Sequence, residues 1–215
     1  MKHILLFFSL AFTLIACNSG SDNAESKTDT TSHTTHTTTD ATPAAGENHM
    51  KNMHDAMDGS MQQMKSMSMS GDPDHDFAMM MKHHHQGAID MAKAELAGGT
   101  DGKLKQMAQK MIDEQQKENA AFDSFLQSHK PAGNSEYGKK AMGMMTPMSD
   151  IKMESGSLDA MFASMMIPHH QDAVKMAQEY LKVGKNAEIK QMAQKVIESQ
   201  PKEIQELQDW LANHK

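Results

Sequence analysis

A 57-residue segment occurs twice in this chain at a constant offset of 85. Residues 74–130 align with 159–215 without a gap and agree at 26 positions, including the block Lys105 to Lys110 against Lys190 to Lys195. The fold therefore has to be assembled from two copies of one unit. That unit is helical by its periodicity. Asp72-Pro73 supplies an N-cap and a proline at the first helical position, and Phe77, Met80, Met81, His84, Ala88, Met91 and Ala92 follow at helical spacing up to Gly98-Gly99. Asp101 can cap a second helix, whose inner face reads Leu104, Met107, Ala108, Met111, Ile112, Gln115, Phe122, Phe125 and Leu126 before Pro131 stops it. The second copy follows the same plan. Ser157 caps a helix to about Val183, Gly184 breaks it, and Asn186 caps a last helix through Ile189, Met192, Ile197, Ile204, Leu207, Trp210 and Leu211. Pro168 and Pro201 fall inside these helices and are expected to kink them, since each removes one backbone hydrogen bond. With no strand-like alternation, the expected fold is all-α: a four-helix bundle over 72–215, with short loops within pairs and one long crossover between them.

The chemistry sits at matching positions of the two copies. Met80 and Met81 stand four residues before His84 and His85, as Met165 and Met166 do before His169 and His170. Residues at i and i+4 share a helix face about 6 Å apart, so each helix presents two thioether–imidazole pairs. Met91 and Met176 follow two turns beyond the first histidine of each pair. Gln115 and Gln200 are the matching polar positions on the second helix of each pair. Two readings are open. The histidines could be buried core residues hydrogen-bonded to these glutamines. Alternatively they could ligate a metal, with the glutamines behind them fixing the imidazole tautomer. The repetition of paired histidines with methionine at i−4 favours the metal. His83 has Pro168 as its counterpart and is expected to be an exposed extra.

Ligand type then selects the metal. Zinc prefers cysteine, histidine and carboxylate, and a di-iron bundle needs Glu-x-x-His, which does not occur here. Thioether plus imidazole suits Cu(I), with Ag(I) as a mimic. A thioether needs no deprotonation and escapes the thiol oxidation that disables cysteine ligands.

Composition narrows the setting. The chain has 24 methionines, 13 histidines, one cysteine and a net charge of −7, with lysine as its sole basic residue type, which argues against a nucleic-acid partner. Residues 1–16 read as a signal peptide, with Lys2, an apolar run from Ile4 to Leu14, and then Leu14-Ile15-Ala16-Cys17. That last box resembles the bacterial lipoprotein cleavage site, which makes Cys17 the lipidated first residue and places the protein in the cell envelope, tethered to a membrane and facing the periplasm or cell surface. Residues 17–48 are Ser/Thr-rich with almost no apolar residue, and are expected to form a disordered tether in which His33 and His36 are incidental. Residues 49–71 carry His49, Met50, Met53, His54, Met57, Met61, Met64, Met67 and Met69. Their spacing allows either an amphipathic helix on the bundle or a soft-ligand strand collecting Cu(I). A second cluster, Met142, Met144, Met145, Met148 and Met153, precedes the second copy, and Gly143 and Pro147 predict a loop there.

Met-Met-Ile-Pro-His-His-Gln-x-Ala-Val-x-Met-Ala at 165–177, followed by Gln191-Met192-Ala193, Gln200 and Trp210-Leu211, resembles the bacterial family known as domain of unknown function number 305. The likeness covers roughly 72–215, in both halves. It implies a ferritin-like four-helix bundle and, from some members, extracytoplasmic copper binding through histidine and methionine. On this chain it implies copper roles for His84, His85, His169 and His170 with Met80, Met81, Met165 and Met166. The first copy has Lys82-His83 where the second has Ile167-Pro168, so the two sites could differ in affinity. The expected function is a copper-sequestering lipoprotein. The alternative is a metal-free, methionine-cored interaction module, and an enzyme is not expected because no nucleophile elbow or phosphate loop is present.

Overall fold

The computed structural model describes residues 45–154 and 156–214. The signal segment, Cys17, His33 and His36 lie outside these residues. The elements are α1 (Ala45–Ser66), α2 (Pro73–Gly98), α3 (Gly102–Ser128), α4 (Tyr137–Met142), a 3-10 turn (Met148–Asp150), α5 (Leu158–Leu181) and α6 (Ala187–Asn213). There is no strand among the described residues, and no helix there is long and apolar enough to cross a membrane.

All four expected caps form. Asp72 accepts from the backbone N–H groups of Asp74 and His75, Asp101 from Lys103 and Leu104, Ser157 from Ala160, and Asn186 from Ile189. Each satisfies donors that a helix start otherwise leaves open. α5 and α6 run on as continuous helices through Pro168 and Pro201.

α2 pairs with α3 and α5 with α6, and the two hairpins meet where α2 packs on α5. These central helices run antiparallel, because the start of each meets the end of the other. Asp74, at the start of α2, accepts from the Tyr180 hydroxyl at 2.6 Å and from the N–H groups of Lys185 and Asn186. Its repeat counterpart Asp159 accepts from Thr100 N–H and Oγ1 and from Asp101 N–H. The counterpart of Tyr180 is Glu95, a fully buried carboxyl. Burial, and then the adjacent Asp159 carboxyl, push Glu95 up to about 8. Two carboxylates cannot share that contact without a proton, so Glu95 acts as the acid where Tyr180 offers a phenol.

The 49–69 stretch resolves to the packing alternative. It is helical from Ala45, rather than His49, to Ser66, with Met67 and Met69 beyond the helix, and Met53, Met57, Met61 and Met64 are at most 4% exposed. α1 lies along α2 and touches α5. The fit is close at Gly87, where a Cβ would stand 2.6 Å from Ser60 Oγ. At the matching point of the second copy, Asp172 replaces Gly87 and accepts from Thr146 N–H and Oγ1 in the crossover.

The crossover also departs from the sequence expectation. Met142 ends the short helix α4 instead of lying in a loop, and only Met144 to Met153 are irregular apart from the 3-10 turn. Met142, Met145 and Met148 pack against the core. Met153 is exposed.

Candidate metal centre

The antiparallel packing of α2 on α5 brings the two copies of the motif together at one point. His84 and His169 meet there, with ring centroids 3.7 Å apart and planes inclined by 35°. His85 and His170 flank them, and His169 and His170 have centroids 6.3 Å apart. All four imidazoles are at most 3% exposed. Burial first, and then the neighbouring imidazoles, hold His84 and His169 well below the usual histidine range, so both present neutral rings near neutral pH.

The methionines are all in place and fully buried, but their grouping differs from the within-helix set that the spacing suggested. Met91 packs in the same cluster as Met165 and Met166 of the other copy, and Met176 packs with Met80 and Met81. The antiparallel crossing explains this, because the far end of each motif lies beside the near end of its partner. Each core cluster therefore holds motif thioethers from both copies.

Sequence reasoning missed two residues at this centre. His85 Nε2 lies 2.8 Å from Glu118 Oε2, and His170 Nε2 lies 3.0 Å from Glu203 Oε2. The second contact has the distance but not the alignment of a hydrogen bond, so it is the weaker of the two. Glu118 and Glu203 are counterparts under the repeat, as are the lysines that bridge to them from the opposite copy. Lys195 Nζ is 2.9 Å from Glu118 Oε1, and Lys110 Nζ is 3.4 Å from Glu203 Oε1. Burial alone would raise both carboxyls. The contacts to histidine and lysine outweigh it and hold them below the usual glutamate range. The available signal was the identity of Gln-x-Lys-Glu at 115–118 and 200–203, of which only the glutamine looked inward-facing.

Gln115 and Gln200 are buried as expected, yet no hydrogen bond joins either to a histidine among the described residues. Their Oε1 atoms have no partner within the protein. Neither do Nδ1 of His84 and His85, or either ring nitrogen of His169 and His170, by hydrogen-bond geometry. That makes eight buried polar atoms without a partner around one crossing point. Each would cost about 1–3 kcal/mol if left so, and native folds leave few such atoms.

Among the described residues, no three His, Cys, Asp or Glu side chains are placed to hold an ion together. A site made of nitrogen and oxygen alone is therefore not preformed. An ion bound here would draw on the adjoining thioethers, and that mixture of soft sulfur and imidazole is the donor set of a soft monovalent cation. The auxiliary residues lie elsewhere. His49 sits against Gly98 at the end of α2, His54 is half-exposed beside Asp55, and His83 is partly buried. Met50, Met144, Met145 and Met148 are partly buried, and Met53 and Met57 are core residues.

The family model described as Domain of unknown function (DUF305) matches the chain twice, over 20–126 and 121–211. No curated protein sequence matches. Among solved structures, CopM in its Cu(II)-bound form is 30% identical, with a TM-score of 0.53 over 66% of this chain and 97% of that chain. CopM in its Cu(I)-bound form is 29% identical, with a TM-score of 0.51 over 65% and 96%. An Ag-bound form obtained by co-crystallisation is also 29% identical, with a TM-score of 0.52 over 65% and 96%.

Proposed function

Since the chain belongs to the DUF305 family, and its similar solved structures hold copper and silver, we propose that it binds Cu(I) at the α2–α5 crossing. The ligands are drawn from His84, His85, His169 and His170 and from Met80, Met81, Met91, Met165, Met166 and Met176. The observation that carries this reading is the set of eight unpartnered polar atoms beside six buried thioethers. Each neutral imidazole among them keeps one bare nitrogen, and a buried lone pair without a donor has a use if a cation takes it. His84 and His169 favour this because burial keeps them neutral, so no proton has to leave before the ion binds.

The same proposal includes the setting. Lipid attached at Cys17 would tether the bundle to the envelope, where a protein holding Cu(I) tightly serves sequestration or tolerance and performs no turnover. A metal-free, methionine-cored module is the second reading. What favours it is the packing of α1, whose stripe methionines are spent on the core.

The deciding experiment replaces His84, His85, His169 and His170 together by glutamine and melts both proteins with and without Cu(I) under reducing conditions. A ligand that binds only the folded state adds RT ln(1 + [L]/Kd), about 4.1 kcal/mol at a thousandfold excess over Kd. At this chain length that is about 8–16 °C in Tm. Wild type gains this increment and the variant loses most of it. An unchanged copper increment in the variant, or none in wild type, refutes the site.

A further inference from the structure

Glu118 and Glu203 are the groups at this centre to which no role has yet been given. They stand on α3 and α6, the outer helices of the two hairpins, and each reaches inward to one histidine of the opposing face. Both are repeat counterparts, both contact Nε2 and not Nδ1, and both are tied to a lysine of the other copy. The same triple, Lys–Glu–His, is thus built twice around the crossing, with each lysine crossing from one hairpin to the other.

The chemistry of the contact decides which nitrogen faces the ion. An ionised carboxylate has only lone pairs to offer, so the imidazole nitrogen it touches must carry the proton. In a neutral ring the other nitrogen is then bare. Nδ1 of His85 and Nδ1 of His170 are those other nitrogens, and both are buried without a partner in the protein. We infer that Glu118 and Glu203 are positioning residues that hold His85 and His170 as Nε2–H tautomers, so that each presents a bare Nδ1 lone pair to the bound cation. The inference rests on the copper reading for its purpose but not for its geometry. Lys195 and Lys110 reach these carboxylates from the opposite copy and hold them in place, so orientation of a ligand in one copy depends on a side chain from the other. Gln115 and Gln200, one turn earlier on the same helices, do not fill this role.

The test has two independent readouts. Long-range ¹H–¹⁵N correlation spectra of the apo protein assign the imidazole tautomers. Wild type should show Nε2–H with bare Nδ1 at His85 and His170, and Nδ1–H at either would overturn the inference whether or not copper binds. Glu118→Gln with Glu203→Gln should then mix the tautomers, because an amide can donate as well as accept. Cu(I) competition titrations should show affinity reduced about 10–100-fold for each replacement, the usual effect of removing a group that orients a histidine ligand. Asp113→Asn with Glu198→Gln, an exposed pair of repeat counterparts, changes the net charge equally on the same two helices and should leave both readouts unchanged. If wild type binds Cu(I) and the 118/203 variant binds it equally with unchanged tautomers, the positioning role is refuted while the copper reading stands. If wild type binds no Cu(I), the copper reading fails and the apo tautomers still decide the geometry.

Discussion

Replacing Glu95 by glutamine should remove a pH dependence that this fold carries at one end of its central helix pair. Glu95 is fully buried at the end of α2, facing Asp159 on α5, with Lys105 and Asp101 as the other charged groups acting on it. Its carboxyl is pushed up to about 8 from an unfolded value of 4.5. A group whose folded pKa is raised adds stability that is complete below the unfolded value and lost as pH rises through the folded one. At pH 6 the folded chain keeps this proton and the unfolded chain has released it, which is worth about 1.4 kcal/mol for each of the two pH units remaining below 8. By pH 9 both states are ionised and the advantage is gone. Wild type should thus lose about 2–3 kcal/mol from this group between pH 6 and pH 9, or about 4–12 °C in Tm. Glutamine has nearly the same shape, and its amide can donate to Asp159 as the Tyr180 hydroxyl donates to Asp74 in the other copy. It has nothing to ionise. His84 and His169, held well below the usual histidine range by burial, are the same in both proteins and cancel in the comparison. The assay is thermal unfolding of the apo proteins by circular dichroism at pH 6 and pH 9. An identical loss in wild type and in Glu95→Gln would refute the shared-proton account of the Glu95–Asp159 contact.

Other expectations follow from packing and from the N-terminal box. Gly87→Ala should destabilise by about 1–3 kcal/mol, since its Cβ would meet Ser60 Oγ at 2.6 Å. Gly59→Ala, one residue from Ser60 with nothing within 4 Å of its Cβ, should instead stabilise α1 by up to about 1 kcal/mol. Urea titration of the two variants measures both. Met53→Ala and Met64→Ala remove fully buried side chains and should each cost about 2–5 kcal/mol; losses below 1 kcal/mol would show that α1 is not docked in solution. Cys17→Ala should move the protein from the membrane fraction to the soluble envelope fraction, and unchanged detergent partitioning would remove the proposed anchor.

Much of the fold could be read from the chain because its signals are local. Asp72, Asp101, Ser157 and Asn186 sit where cap chemistry demands, and each caps its helix as expected. The duplication aligned Met80, Met81, His84 and His85 with their counterparts, and of these the histidines do converge while the methionines fall into two separate clusters. What the sequence could not convey was the partner of each side chain across the bundle. Met91 and Met176 were placed with their own helices because a helix wheel knows nothing of antiparallel crossing. Glu118 and Glu203 were not singled out, because a glutamate on a polar helix face is usually a surface charge. Their burial depends on a histidine 33 residues away in each copy, a separation no periodicity encodes. The methionines of α1 were ambiguous for a physical reason: the thioether that fills a core gap is the same group that binds a soft cation.

The crossing of α2 on α5 has a further consequence for what one copy of the repeat could do alone. Every element of the centre draws groups from both copies: the paired His84 and His169, both thioether clusters, and both lysine bridges. A chain with a single copy would hold half a site and could complete it only by pairing with a second molecule. Its grip on an ion would then weaken on dilution. Joining the copies through the 129–157 crossover makes that encounter intramolecular, with an effective concentration on the order of millimolar for a short linker. A chain that carries both copies would thereby hold both halves of the proposed site at any abundance.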